Sequence, residues 1–206
     1  MSNILRGGLH PVDTARAKTR LFSVASGYAP ANSCPGIAKY EVVELVTAGN
    51  LEIVDAGAAD SGLLLGVVKS VTYIGSDGSK VYNGVLPTGY TFSGNANVSN
   101  PLAPIIEVWV DPDIEYWACV AAGTTNALAY AGVGANMDLS VTSATSVSTV
   151  YKESLRTVDA TFVAGTAQLR VLDVVRDPVN DITTASYRIK CRLNEGSHPY
   201  LSLAGI

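Results

Sequence analysis

Few residues in this chain have the type and spacing that chemistry needs. It has two histidines, His10 before Pro11 and His198 between Ser197 and Pro199. A Ser-His-Asp hydrolase would use one of them as its base, but no G-x-S-x-G elbow accompanies either. Asp111 and Asp113 bracket Pro112, and such a D-x-D can offer carboxylate oxygens to a hard cation. Two ligands do not complete a site, and acid-Pro-acid is ordinary turn chemistry after a strand. Glycosidase chemistry needs two carboxylates facing each other across a cleft. Glu41, Glu44, Glu107 and Glu115 fall on strand-like segments, where outward-facing acids are usually just solvated. The glycines are dispersed, without a phosphate-cradling or dinucleotide fingerprint. Cys34, Cys119 and Cys191 form no CxxC pair and no His/Cys cluster, so free, mostly buried thiols are expected. No catalytic residue, metal ligand or cofactor is assigned.

Binding chemistry is better supplied. Arg188, Lys190 and Arg192 alternate with Tyr187, Ile189, Cys191 and Leu193, which makes a half-buried strand with a basic outer stripe. That stripe could meet an anionic surface, or could shield a sheet edge. Trp109, Tyr116 and Trp117 flank the Asp-Pro-Asp corner and could stack on sugar, although aromatic residues in strands usually belong to a core.

The elements positioning these residues read as β. Strand signals cover 39–46, 51–54, 63–74, 80–86, 105–110, 114–121, 168–176 and 185–193. The Ser76-Asp77-Gly78 turn closes a hairpin, its Asp-Gly step suiting two central residues at positive φ. Residues 121–149 are low in complexity and read as short strands and loops. Residues 1–38 show no sustained period and read as an extended arm, with one helical turn near residues 14–18. Such an arm lies along its own domain, a neighbouring subunit or a partner. The fold class is all-β, a sandwich or barrel-like domain with little helix. The division is arm 1–38, body 39–195 and C-terminal tail 196–206.

Composition narrows the function. Of 206 residues, 48% are hydrophobic and only 16% charged, against roughly 25% charged in a typical domain. So few charges favour an oligomer or a large protein-covered surface. Net charge is -4 and the pI about 5.1, which argues against nucleic acid and anionic membrane as partners. No apolar run reads as a secretory signal or a membrane-spanning helix.

Several motifs follow one another along the chain. Gly8-Leu9-His10-Pro11 opens it, and a Gly66-Val67…Tyr73 strand follows, with a Gly turn and a loop bearing Pro87. Asp111-Pro112-Asp113-Ile114 comes next, and then Leu169-Arg170-Val171…Val175…Pro178…Asn180. The tail carries His198-Pro199-Tyr200. This order resembles the head decoration proteins of tailed bacteriophages, the cement or auxiliary head proteins.

The resemblance implies a non-enzymatic structural protein, made in the host cytoplasm and carried on the capsid exterior of the virion. Its partners would be the major capsid protein and itself, commonly as a homotrimer. The expected capsid or subunit contacts are Arg6, Leu9, Pro11, Arg16, Lys18 and Arg20 of the arm, the stripe Arg188, Lys190 and Arg192, and Tyr200 of the tail. Arg6, Arg16, Lys18 and Arg20 face only Asp13 within residues 1–20, so the arm suits an acidic groove. The alternative is a β-rich receptor-binding or fibre-tip protein whose Trp/Tyr cluster contacts host glycan.

Overall fold

A computed structural model describes residues 7–28, 36–45, 50–54, 63–92, 102–121, 131–140, 147–148, 150–163, 167–178, 180, 182 and 187–194. Arg6, Cys34, His198 and Tyr200 lie outside the described residues. The described elements are fourteen strands: β1 His10–Pro11, β2 Thr19–Phe22, β3 Gly36–Ile37, β4 Val42–Leu45, β5 Leu51–Ile53, β6 Leu63–Ile74 and β7 Lys80–Tyr82. After them come β8 Leu86–Pro87, β9 Ile105–Trp109, β10 Tyr116–Cys119, β11 Asn136–Leu139, β12 Val158–Val163, β13 Leu169–Val174 and β14 Arg188–Leu193. The chain is all-β, as its alternation and turn punctuation indicate.

The strands form two curled antiparallel sheets in a half-barrel, sandwich-like arrangement. The first sheet runs β1-β10-β14-β13-β11-β12. A parallel bridge from Val120 to Val158 brings the end of β10 against β12, so this sheet bends round its own side chains. The second runs β2-β9-β6-β4-β5, with β7 also on β6. Here the Leu51 amide donates to the Ser23 carbonyl at 3.1 Å, which draws β5 toward the segment after β2. The two-stranded β3-β8 ribbon completes the fold.

Around β4 and the first half of β6, the second sheet is buried on both faces. That is why β6 reads as a nearly continuous apolar run rather than a clean alternation. Val42, Leu64, Val67 and Trp109 join Leu9, Tyr116, Ile189 and Cys191 in one cluster between the sheets. Val43, Leu65, Val68, Val71 and Ile106 enter a second cluster with Ile37 and Leu86 of the ribbon. Register shifts opposite Val43/Glu44 and between Val68 and Ser70 let β6 serve both.

The described part of the 1–38 segment is woven into these sheets. It supplies β1 to the first sheet, β2 to the second and β3 to the ribbon. Its expected helical turn is a single hydrogen-bonded turn, Ala17 donating to Thr14. Period-two signals are short here because each strand is only two to four residues long.

The hairpin after β6 has different geometry from the expected one. Gly78 donates to the Gly75 carbonyl at 2.9 Å and Gly75 to Ser79 at 2.7 Å. Only Gly78 takes positive φ, at 81°, the pattern of a turn followed by a glycine bulge rather than a two-residue turn. Asp77 stays at negative φ because its carboxylate accepts from the Ser79 amide and hydroxyl. Residues 80–86 do not form one strand: Asn83, at φ 51°, ends β7, and β8 pairs with β3 instead.

Candidate functional site

Where the edge of the first sheet meets the second, the fold leaves an open cleft of about 610 Å³. β1 brings His10 and Pro11, and β10 brings Trp117 and Cys119. β6 adds Lys69 and Ser70, β9 adds Trp109, and β14 adds Arg188. The centre is Tyr40, just before β4.

Tyr40 sits at φ 66°, a conformation that bulky residues rarely take. Both of its backbone groups are tied: its amide donates to Val68 at 2.8 Å and its carbonyl accepts from Leu9 at 3.0 Å. Gly8 makes room beside it, since a Cβ there would lie 2.8 Å from the Tyr40 Cβ. The strained backbone aims the phenol ring between two others. His10 lies 4.0 Å from it, and Trp109 is stacked at 6.2 Å with planes 8° apart. His10 Nε2 donates to the Gly7 carbonyl at 2.8 Å, which fixes the imidazole against the wall.

The electrostatics of the cleft are one-sided. Among the described residues, Lys39, Lys69 and Arg188 line it and no carboxylate does. Two of these cations are tied back by acids outside the lining: Lys69 to Glu107 at 2.8 Å and Arg188 to Asp177 at 3.2 Å. The hydrogen bond from Lys69 holds the Glu107 carboxyl below its ordinary range, against the opposing effect of desolvation. This pair is therefore lost only as pH falls through that depressed value. Lys39 makes no carboxylate pair among the described residues, and its ammonium lies 4.5 Å from the Tyr40 ring centroid. Trp117 is 40% exposed, with the Arg188 guanidinium 6.0 Å from its ring.

The remaining expected contacts are scattered. Leu9 is fully buried in the core, so its apolar surface is not available to a partner. Arg16 lies in a shallow depression with Asp13, Asp111, Asp113 and Glu115, so the acids beside this part of the arm are the chain's own. Lys18 and Arg20 are exposed at β2. Lys190 pairs with Glu115 at 2.9 Å. Arg192 is half-buried, its Nε shielded from solvent. The stripe does not shield an edge, because β14 is paired on both sides, by β10 and β13. Asn180 holds Arg188 in place: its side chain accepts from the Arg188 amide at 2.7 Å and donates to the carbonyls of Val175 and Arg188.

The aromatic cluster divides. Tyr116 is fully buried, whereas Trp109 and Trp117 line the cleft. Sequence reasoning does not place Lys39, Tyr40 or Lys69 in a site, since only the sheet pairing brings them to the tryptophans. Asp111 forms an Asx turn, its carboxylate accepting from Asp113 at 3.2 Å. No group of three acidic, His or Cys side chains among the described residues is placed to hold a metal.

Burial makes the described thiols poor nucleophiles. It pushes Cys119 up to about 11 and Cys191 up to about 12, so the thiolate is scarce near neutrality. A Cys34→Ser variant should therefore show almost no reaction with a thiol reagent at pH 8 until denatured, when two equivalents react. Rapid native labelling of either remaining cysteine would contradict this burial.

No family model matches the chain, and neither the curated proteins nor the solved structures include a match to it.

Proposed function

We propose that this chain is a non-enzymatic virion structural protein, a cement that binds the outer surface of a major capsid shell and stabilises it, acting as a homotrimer. The observation that carries this reading is a row of exposed apolar side chains on an open stretch of the second sheet. Register places Tyr82, Thr72 and Ile105 side by side on β7, β6 and β9. Leu21 on β2 stands opposite Glu107, two residues along β9 on the same face. Leu21 is 67% exposed, Tyr82 65% and Ile105 46%. An apolar surface carried on a rigid sheet suits a protein partner, and many copies of a modest interface reinforce a shell through multivalency.

The test has two parts. Quantitative mass spectrometry of purified virions should give roughly one copy, or roughly one third, per major capsid subunit, as a lattice-wide multivalent cement requires. A Leu21→Glu/Ile105→Glu variant should fold, judged by circular dichroism, yet fail to join the shell. Absence of the protein from particles, or full occupancy by the folded variant, overturns the proposal.

A second reading is a receptor-binding or fibre-tip protein contacting host glycan, and half-exposed Trp117 at the cleft favours it. That reading expects only a handful of copies per virion.

A further inference from the structure

We infer that the cleft around Tyr40 is a binding site for an acidic sugar, a pyranose carrying one carboxylate. The inference stands on the cleft alone, so a lattice-wide copy number on the capsid would leave it standing.

Three features point to this chemistry. First, Trp117 presents a large half-exposed indole in the same lining as Tyr40, whose own ring is flanked by His10 and Trp109. Such surfaces pack against the apolar face of a sugar ring. Second, Thr14, Ser70 and Asn83 add short hydroxyl and amide groups to the lining, matching a ring that is apolar on its face and polar at its rim.

Third, the charge suits a monoanion. Among the described residues the Lys39 ammonium is the lining cation not held by a carboxylate, and a sugar carboxylate in the cleft would complete its pairing. A phosphate group is served best by a guanidinium fork, and one nitrogen of the Arg188 guanidinium, Nη2, is already held by Asp177 at 3.2 Å. The strain at Tyr40 has the same logic. A bulky residue is held at positive φ by two backbone hydrogen bonds, and such strain collects where a side chain must be aimed.

The chain has two tryptophans and both line this cleft, so intrinsic fluorescence reads the site directly. The full-length protein would be titrated with sodium glucuronate, glucose and sodium phosphate at constant ionic strength. A saturable change is expected with glucuronate, weaker with glucose and absent with phosphate. Trp117→Ala should weaken glucuronate binding by roughly tenfold or more, about the effect of losing one aromatic stacking contact. Trp109 still reports in that variant. Lys39→Met should leave the glucose response in place and remove the preference for glucuronate. Equal responses to glucuronate and glucose in the unmodified protein would overturn the inference. So would saturation by phosphate alone, or a Trp117→Ala protein that folds and titrates unchanged.

Discussion

Arg156→Met is expected to cost about 3–5 kcal/mol of folding free energy, the usual penalty for stripping one partner from a buried ion pair. Arg156 and Glu41 have side chains only 0% and 1% exposed, and their charged groups meet at 3.0 Å. Ser154 donates its hydroxyl to the second Glu41 oxygen at 2.6 Å. Glu41 precedes β4 in the second sheet, and Arg156 precedes β12 in the first, so the pair joins the two halves of the molecule. Without Arg156 the Glu41 carboxylate would be buried with no countercharge. Glu41→Gln should cost a similar amount by leaving the guanidinium alone.

The Glu41→Leu/Arg156→Met double variant should recover much of the loss, since apolar replacements of buried pairs are often neutral or stabilising. Recovery is the more expected because Arg156 Nε and Nη2 are buried and make no hydrogen bond to the described residues. Urea unfolding midpoints at constant m-value give all three comparisons. A single variant within about 1 kcal/mol of the parent would show that the pair contributes no more than an exposed one.

Gly66→Ala should be at least as damaging, with a loss of about 4 kcal/mol or more, in the range reserved for severe core lesions. The reason is crowding, not backbone strain. A Cβ on Gly66 would lie 1.9 Å from the Trp109 carbonyl oxygen and 2.9 Å from Val108 Cγ1. The nearest atom is backbone of the adjacent strand, so no rotamer change relieves the clash; β6 and β9 must separate. Because Trp109 forms part of the cleft wall, the variant should also shift the tryptophan emission before any denaturant is added. A Gly66→Ala protein with unchanged emission and stability would mean that β6 and β9 do not approach as closely as this.

Much of the fold is legible in the residues. Strand β6 has the bounds that its β-branched run implies, and β14 shows the clean alternation that runs from Tyr187 to Leu193. Other strands carry a signal too weak to stand out. In β12, Val158 and Phe162 alternate with Asp159 and Thr161, but Val163 then breaks the alternation. Strands β1 and β3 have two residues each, too few for any period to register. They exist because a partner strand is present, not because of local propensity.

The site is less legible than the fold. Trp109 and Trp117 stand out in the sequence, with Tyr116 between them, but their neighbours in space do not. Lys39 and Tyr40 come from one connection, Lys69 and Ser70 from the middle of β6, and Arg188 from β14. The Gly66 motif is visible along the chain, yet the reason for its glycine is the Trp109 carbonyl on another strand.

The amino-acid sequence by itself determined that this is a β protein with few charged residues, because period, turn residues and composition are local properties. Only the tertiary structure decided which apolar residues are buried and which remain to meet a partner. Leu9 and Leu21 both belong to the 1–38 segment, yet one is sealed in the core and the other lies on an open face. It also decided that Lys39 stands over Tyr40 while Lys69 is held by Glu107. Long-range strand pairing sets those outcomes, and no spacing along the chain encodes it.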